Sequence, residues 1–208
     1  MIGFYNYTVI LTYMGLASAV VGMVTALKGN LLVAVVCLMV SGACDMFDGK
    51  VARTKKDRTH QEKQFGIQLD SLCDIVCFGV LPCMIGFAAG VKGPFGTAYM
   101  VLYVLAALIR LAYFNVMEEE RQKTTETTRK YYQGLPVTSA AVIFPVLFAI
   151  KPVFGRGFVL AYEIVLIIVA LLFVVDFKVK KMDLKGMIVL LIVGALIFIR
   201  LLLGGVCL

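Results

Sequence analysis

The sequence contains no tryptophan, a single histidine and only five prolines, and charged residues make up 16% of its 208 positions. Each shortage excludes something. One histidine, His60, cannot supply a histidine-built catalytic set, and it falls in a basic hydrophilic stretch where a solvated position is the ordinary outcome. The six cysteines (Cys37, Cys44, Cys73, Cys77, Cys83, Cys207) form no C-x-x-C pair, which argues for small apolar filler over a metal or dithiol motif. Without tryptophan, anchoring at a membrane interface falls to tyrosine and phenylalanine. No stretch joins a short apolar core to a small-residue cleavage site, so Met1 is expected to stay. There is no internal repeat and no linker long enough to separate domains; residues 1–208 read as one domain.

What is abundant is hydrocarbon. The chain is 61% hydrophobic, with a mean hydropathy of +0.94. A soluble domain of this size could not hide so much apolar side chain. The apolar residues come in runs near the length that crosses a bilayer at about 1.5 Å per residue. The reading is an all-α, polytopic transmembrane helical bundle of six to eight spans. Seven are placed, at 7–27, 31–52, 65–90, 95–116, 136–152, 157–176 and 185–206. The polar stretch 118–133 reads as a mobile loop, and Pro136 suits the first turn of the helix after it.

The net charge of +7 is better explained by topology than by nucleic acid, which is not expected as a partner. Fourteen lysines and arginines lie in three breaks, 50–64, 117–135 and 177–185, against four in the alternate breaks. The positive-inside rule places the fourteen, and the N-terminus, in the cytoplasm; seven spans then leave the C-terminus outside.

Against this background the stretch "CDMFDGKVAR" (44–53) stands out, because two aspartates close an apolar run. On a helix Asp45, Asp48, Gly49 and Ala52 share a face. The next span supplies Gly66, Asp70 and Asp74, again on one face. The two spans are consecutive and antiparallel, so four carboxylates are expected to converge just inside the cytoplasmic boundary. One aspartate at a helix end is ordinarily a solvated cap; four with this spacing indicate function. Like charges in a low dielectric repel strongly. Bound hard cations such as Mg²⁺, Mn²⁺ or Ca²⁺ relieve this, and four carboxylates suit a two-ion phosphoryl-transfer site. Gly49 and Gly66 leave room for a phosphate or nucleotide, and Arg53 follows Gly49 by about one turn, where it can fork onto a phosphate.

The pattern D-x-x-D-G-x-x-A-R followed by G-x-x-x-D-x-x-x-D resembles the signature of the CDP-alcohol phosphotransferases. All eight signature positions are present: Asp45, Asp48, Gly49, Ala52, Arg53, Gly66, Asp70 and Asp74. Residues 64–82, "RLAYFNV" (110–116) and "GLP" (134–136) look like segments of bacterial and archaeal phosphatidylserine synthases. There is one departure. The family usually has eight residues between its arginine and second glycine, whereas 54–65 make twelve. The resemblance implies two divalent cations, Mg²⁺ or Mn²⁺, held by the four aspartates, with Asp74 also acting as general base. It implies nucleotide contacts at Gly49, Ala52, Arg53 and Gly66. It implies CDP-diacylglycerol as donor, L-serine as acceptor, a homodimer, and an active site at the cytoplasmic face of a bacterial or archaeal membrane. Arg110 is the candidate for the serine carboxylate and Asn115 for orienting the acceptor; snorkelling and helix capping are the plainer roles for these two. Thr8 and Thr12 could touch the nucleotide, though helix-surface hydroxyls are common. Two alternatives stay open: another acceptor, glycerol phosphate or an inositol phosphate, or a divalent-cation transporter using the same acids.

Overall fold

Small residues decide how the first two spans meet. In α1 (Ile10–Leu27) the buried positions are Gly15, Ala19, Gly22 and Ala26, a single stripe at helical spacing. It lies against α2 (Leu31–Thr54), whose buried positions include Ala34, Leu38, Ser41 and Cys44. A Cβ at Gly22 would stand 2.9 Å from that of Cys37, and one at Gly15 3.3 Å from that of Cys44. Helices in lipid gain no hydrophobic drive from meeting, so close backbone approach and interhelical hydrogen bonds hold them. Here the Ser41 hydroxyl donates to the Gly15 carbonyl (2.8 Å) and the Ser18 hydroxyl to the Cys37 carbonyl (3.0 Å).

The computed structural model describes residues 3–124, 131–180, 194–197 and 199. After α2 the chain turns and α3 (His60–Asp74) begins with a capping box: Thr59 Oγ1 accepts from the Glu62 amide, and Glu62 Oε2 accepts from the Thr59 amide. His60 is the exposed first residue of this helix. α3 runs into a π-helical stretch, Ile75–Val80, and on into α4 (Leu81–Ala89), which ends at Gly90 with φ +117°. Pro82 has no N–H to return to the Phe78 carbonyl. The Tyr103 hydroxyl donates to that carbonyl instead (2.8 Å), and the Tyr162 hydroxyl donates to the Pro82 carbonyl (2.7 Å).

These two tyrosines belong to α5 (Gly93–Thr124) and α8 (Phe158–Val174). Between them lie α6 (Ala140–Ala149) and the short α7 (Lys151–Phe154). Tyr103, Phe144, Phe148, Phe158 and Tyr162 form an aromatic core, with centroid separations down to 5.0 Å for Phe148–Phe158. Outward positions such as Val101, Leu105, Leu108, Leu160 and Ile164 are exposed apolar residues, suited to lipid contact.

Among the described residues five helices are long and apolar enough to cross a membrane: Tyr7–Leu27, Leu31–Thr54, His60–Ala89, Gly93–Glu120 and Lys151–Val174. Val137–Ala149 is a shorter apolar helix. The protein is an integral-membrane helical bundle; five of the first six expected spans correspond to the five long helices, and the other, 136–152, to the shorter helix Val137–Ala149. The expected seventh, 185–206, lies largely outside the described residues.

Three local expectations are corrected. α5 continues to Thr124, past the expected end at 116, because Glu, Arg, Gln and Lys in "EEERQKT" are good helix formers. Pro136 precedes the helical segment instead of entering it; Val137–Ser139 form a 3₁₀ turn before α6. Residues at the end of the supposed loop form β1 (Tyr131–Gln133), paired antiparallel with β2 (Lys178–Lys180), Tyr132 opposite Val179. Gly134, at φ +67°, makes the turn beneath this ladder.

Candidate active site

The signature residues sit where two antiparallel helices approach the same end of the bundle. α2 carries Asp45 and Asp48 in its last turns, and α3 carries Asp70 and Asp74. All four line one small cleft, bounded on the α1 side by Leu11, Thr12 and Gly15. Carboxylate oxygens of Asp45, Asp70 and Asp74 lie within 4.8 Å of one another. Asp48 and Asp74 are only 8% and 9% exposed, so the cluster is withdrawn from bulk water. No lysine or arginine is among the described residues lining the cleft. Three carboxylate oxygens at this separation, without a neighbouring cation, form a donor set suited to a hard divalent ion.

Neighbouring polar groups fix the acids. The Thr12 hydroxyl donates to Asp48 Oδ2 at 3.3 Å, so Thr12 is tied to the acid cluster and not simply a surface hydroxyl. Thr8 is buried, and both its amide and its hydroxyl donate to Asn6 Oδ1. Beside Asp70, the Ser71 hydroxyl donates to Asn115 Oδ1 (2.9 Å), while Asn115 Nδ2 donates to Gln68 Oε1 (3.3 Å). Asn115 therefore lies within α5 as a tie to α3, not at a helix end. Arg110 is 7% exposed, with its guanidinium 4.4 Å from the Phe114 ring centroid. It is not among the cleft-lining residues. It stands five residues deeper than Asn115, about 7.5 Å along the helix, which on antiparallel neighbours is near the level of Asp74.

At the outer end of the cleft the small signature residues differ in what surrounds them. A Cβ at Gly49 would meet nothing within 4 Å, and Arg53 is exposed one turn further on. A Cβ at Gly66 would stand 2.7 Å from Arg58 Nη2. Arg58 comes from the lengthened connection and also donates to the Ala52 and Glu62 carbonyls, both at 3.3 Å. The connection is anchored by Lys55 Nζ on Glu62 Oε1 (2.9 Å), by Asn6 Nδ2 on the same oxygen (3.2 Å), and by Phe4 against Phe65. Sequence reasoning missed Arg58, Ser71 and Gln68. Nothing marks them in the sequence except nearness to signature positions.

Comparison with known proteins finds a matching family and named relatives. The family described as CDP-alcohol phosphatidyltransferase matches residues 5–176. The chain is 35% identical to the CDP-diacylglycerol–serine O-phosphatidyltransferase of Helicobacter pylori over 167 residues, 75% of this chain and 66% of that protein. It is 37% identical to the protein of the same name from Saccharomyces cerevisiae over 113 residues, 53% of this chain and 40% of that one. It is 30% identical to the archaetidylserine synthase of Methanothermobacter thermautotrophicus over 135 residues, 64% of this chain and 53% of that one. In each case the match covers less than two thirds of the relative's length.

Proposed function

The chain belongs to the CDP-alcohol phosphatidyltransferase family, and on that footing we propose that it transfers a phosphatidyl group from CDP-diacylglycerol to L-serine, giving phosphatidylserine and CMP. The observation that carries this reading is the single cleft holding Asp45, Asp48, Asp70 and Asp74. The serine-naming relatives support the acceptor. The proposed setting is the cytoplasmic face of a bacterial or archaeal membrane, with 1–208 acting as one domain and paired as a homodimer.

Asp45, Asp48, Asp70 and Asp74 would hold two divalent cations, Mg²⁺ or Mn²⁺. When bound, these neutralise the acids, polarise the lipid-linked phosphate and stabilise the departing CMP. Asp74 accepts the proton of the serine hydroxyl as the serine oxygen bonds to phosphorus. The phosphorus–oxygen bond to CMP breaks, and Asp74 later returns its proton to water. Arg110 presents a planar fork to the serine carboxylate, a geometry that a carboxylate matches with two parallel hydrogen bonds. Asn115 holds α5 against α3, so that Arg110 and Asp74 keep their spacing. Gly49 and Ala52 leave room for the nucleotide, Gly66 leaves room for the Arg58 guanidinium at its edge, and Arg53 meets its phosphates. The acyl chains remain among the exposed apolar side chains of the bundle.

The test is CMP release from CDP-diacylglycerol by the purified protein with a panel of acceptors. L-serine is expected to be preferred, with phosphatidylserine as product. Preference for glycerol phosphate or an inositol phosphate would move the protein to another branch of the family.

A further inference from the structure

We propose that Arg58 is a donor-substrate binding residue, its guanidinium recognising the diphosphate of the CDP group. This rests on the functional reading above and assigns a role to the connection that departs from the family's spacing.

The geometry is specific. Ala52 and Gly66 are the small residues beside the proposed nucleotide site, one on each helix. The Arg58 guanidinium lies between them, donating to the Ala52 carbonyl and occupying the space that a Cβ on Gly66 would take. Ala52 is one turn outward from Asp48 on α2, and Gly66 one turn outward from Asp70 on α3. Arg58 thus stands about one helical turn above the carboxylate cleft, at the depth where a diphosphate would bridge the acids and the solvent.

Its hydrogen-bonding capacity is largely unused. A guanidinium has five N–H donors. Two of them reach backbone carbonyls at 3.3 Å, near the limit of a useful bond. Nε is buried without a hydrogen-bond acceptor. Among the described residues no carboxylate lies within ion-pair distance of Arg58; the nearby acid, Glu62, is taken by Lys55. A partly buried guanidinium with weak neutral partners gains most from an oxyanion, which it can grip with two parallel bonds. The Lys55–Glu62–Asn6 contacts hold the connection in place, so the cation is positioned before ligand arrives.

The test compares the parent with Arg58→Ala and with Arg58→Met, which keeps most of the stem's packing. Three quantities are read: the KM for CDP-diacylglycerol, the KM for serine, and inhibition by CDP and by cytidine. Loss of a hydrogen-bonded charge contact predicts that the KM for CDP-diacylglycerol and the Ki of CDP rise about ten- to hundredfold. The KM for serine and the weak inhibition by cytidine stay at parental values. An unchanged KM for CDP-diacylglycerol in a folded variant would overturn the proposal and leave Arg58 as a staple between α2 and α3. Equal loss for CDP and cytidine would overturn the phosphate assignment. If the parent itself neither turns over CDP-diacylglycerol nor responds to CDP, the functional reading fails, and this inference with it.

Discussion

Asp74 closes α3 and leads directly into the π-helical stretch; the residue is 9% exposed, and its carboxylate is grouped with those of Asp45 and Asp70. A group so placed can be both ligand and base, and the two roles separate experimentally. Asp74→Asn keeps the shape but removes the proton-accepting charge. Turnover is expected to fall about 10²–10⁴-fold, measured as serine-dependent CMP release, while the KM for CDP-diacylglycerol stays near the parent's. Mn²⁺ occupancy, followed by electron paramagnetic resonance on the same sample, separates lost base from lost ion. Turnover at the parental rate would transfer the role to Asp70. Arg110 is tested by its effect on the acceptor. Truncating one partner of a desolvated charge pair weakens binding by about 2–5 kcal/mol, so Arg110→Ala should raise the KM for serine accordingly and leave that for CDP-diacylglycerol nearly unchanged. An unaltered serine KM would return Arg110 to packing on Phe114.

The α2–α3 hairpin converts sequence spacing into a site. Its acids were legible in the sequence because helical periodicity alone puts Asp45 and Asp48 on one face and Asp70 and Asp74 on another. The antiparallel connection then brings the faces together. The π-helical stretch after Asp74 was not legible, since an i→i+5 turn has no compositional mark, and neither do the Tyr103 and Tyr162 hydroxyls that reach the Phe78 and Pro82 carbonyls from distant helices. The contact of Arg58 with Gly66 depends on the path of a twelve-residue connection, which spacing does not dictate. The small-residue stripe of α1 follows helical spacing but was hidden in an apolar run where every position looks buried. Close approach also joins α2 to α6: a Cβ at Gly42 would stand 2.4 Å from that of Ala141. Overpacking of this kind costs about 1–3 kcal/mol, so Gly42→Ala should lower the thermal midpoint of the purified protein in detergent. A midpoint equal to the parent's would mean that the α2–α6 contact is looser than the structure shows.

At the scale of the whole molecule, alternate crossing puts the α2–α3 connection, the far end of α5 and the β1–β2 ladder on one side of the bundle, the side rich in lysine and arginine. α5, at 32 residues, extends about 48 Å at 1.5 Å per residue, longer than a bilayer core of about 30 Å, and so carries its polar end beyond the hydrocarbon. Orientation can be checked at Lys56, which is exposed in the connection. A Lys56→Cys variant should react with an impermeant maleimide in inside-out vesicles and not in right-side-out ones; the reverse pattern would place the cleft on the outer face. On the proposed function, four acids in this cleft work with divalent ions to transfer a phosphatidyl group. The decisive measurement is serine-dependent CMP release by the purified protein, followed through chelation and re-addition of metal. Activity should vanish in excess chelator and return with Mg²⁺ or Mn²⁺, whereas full activity in excess chelator would mean that the four aspartates work without metal.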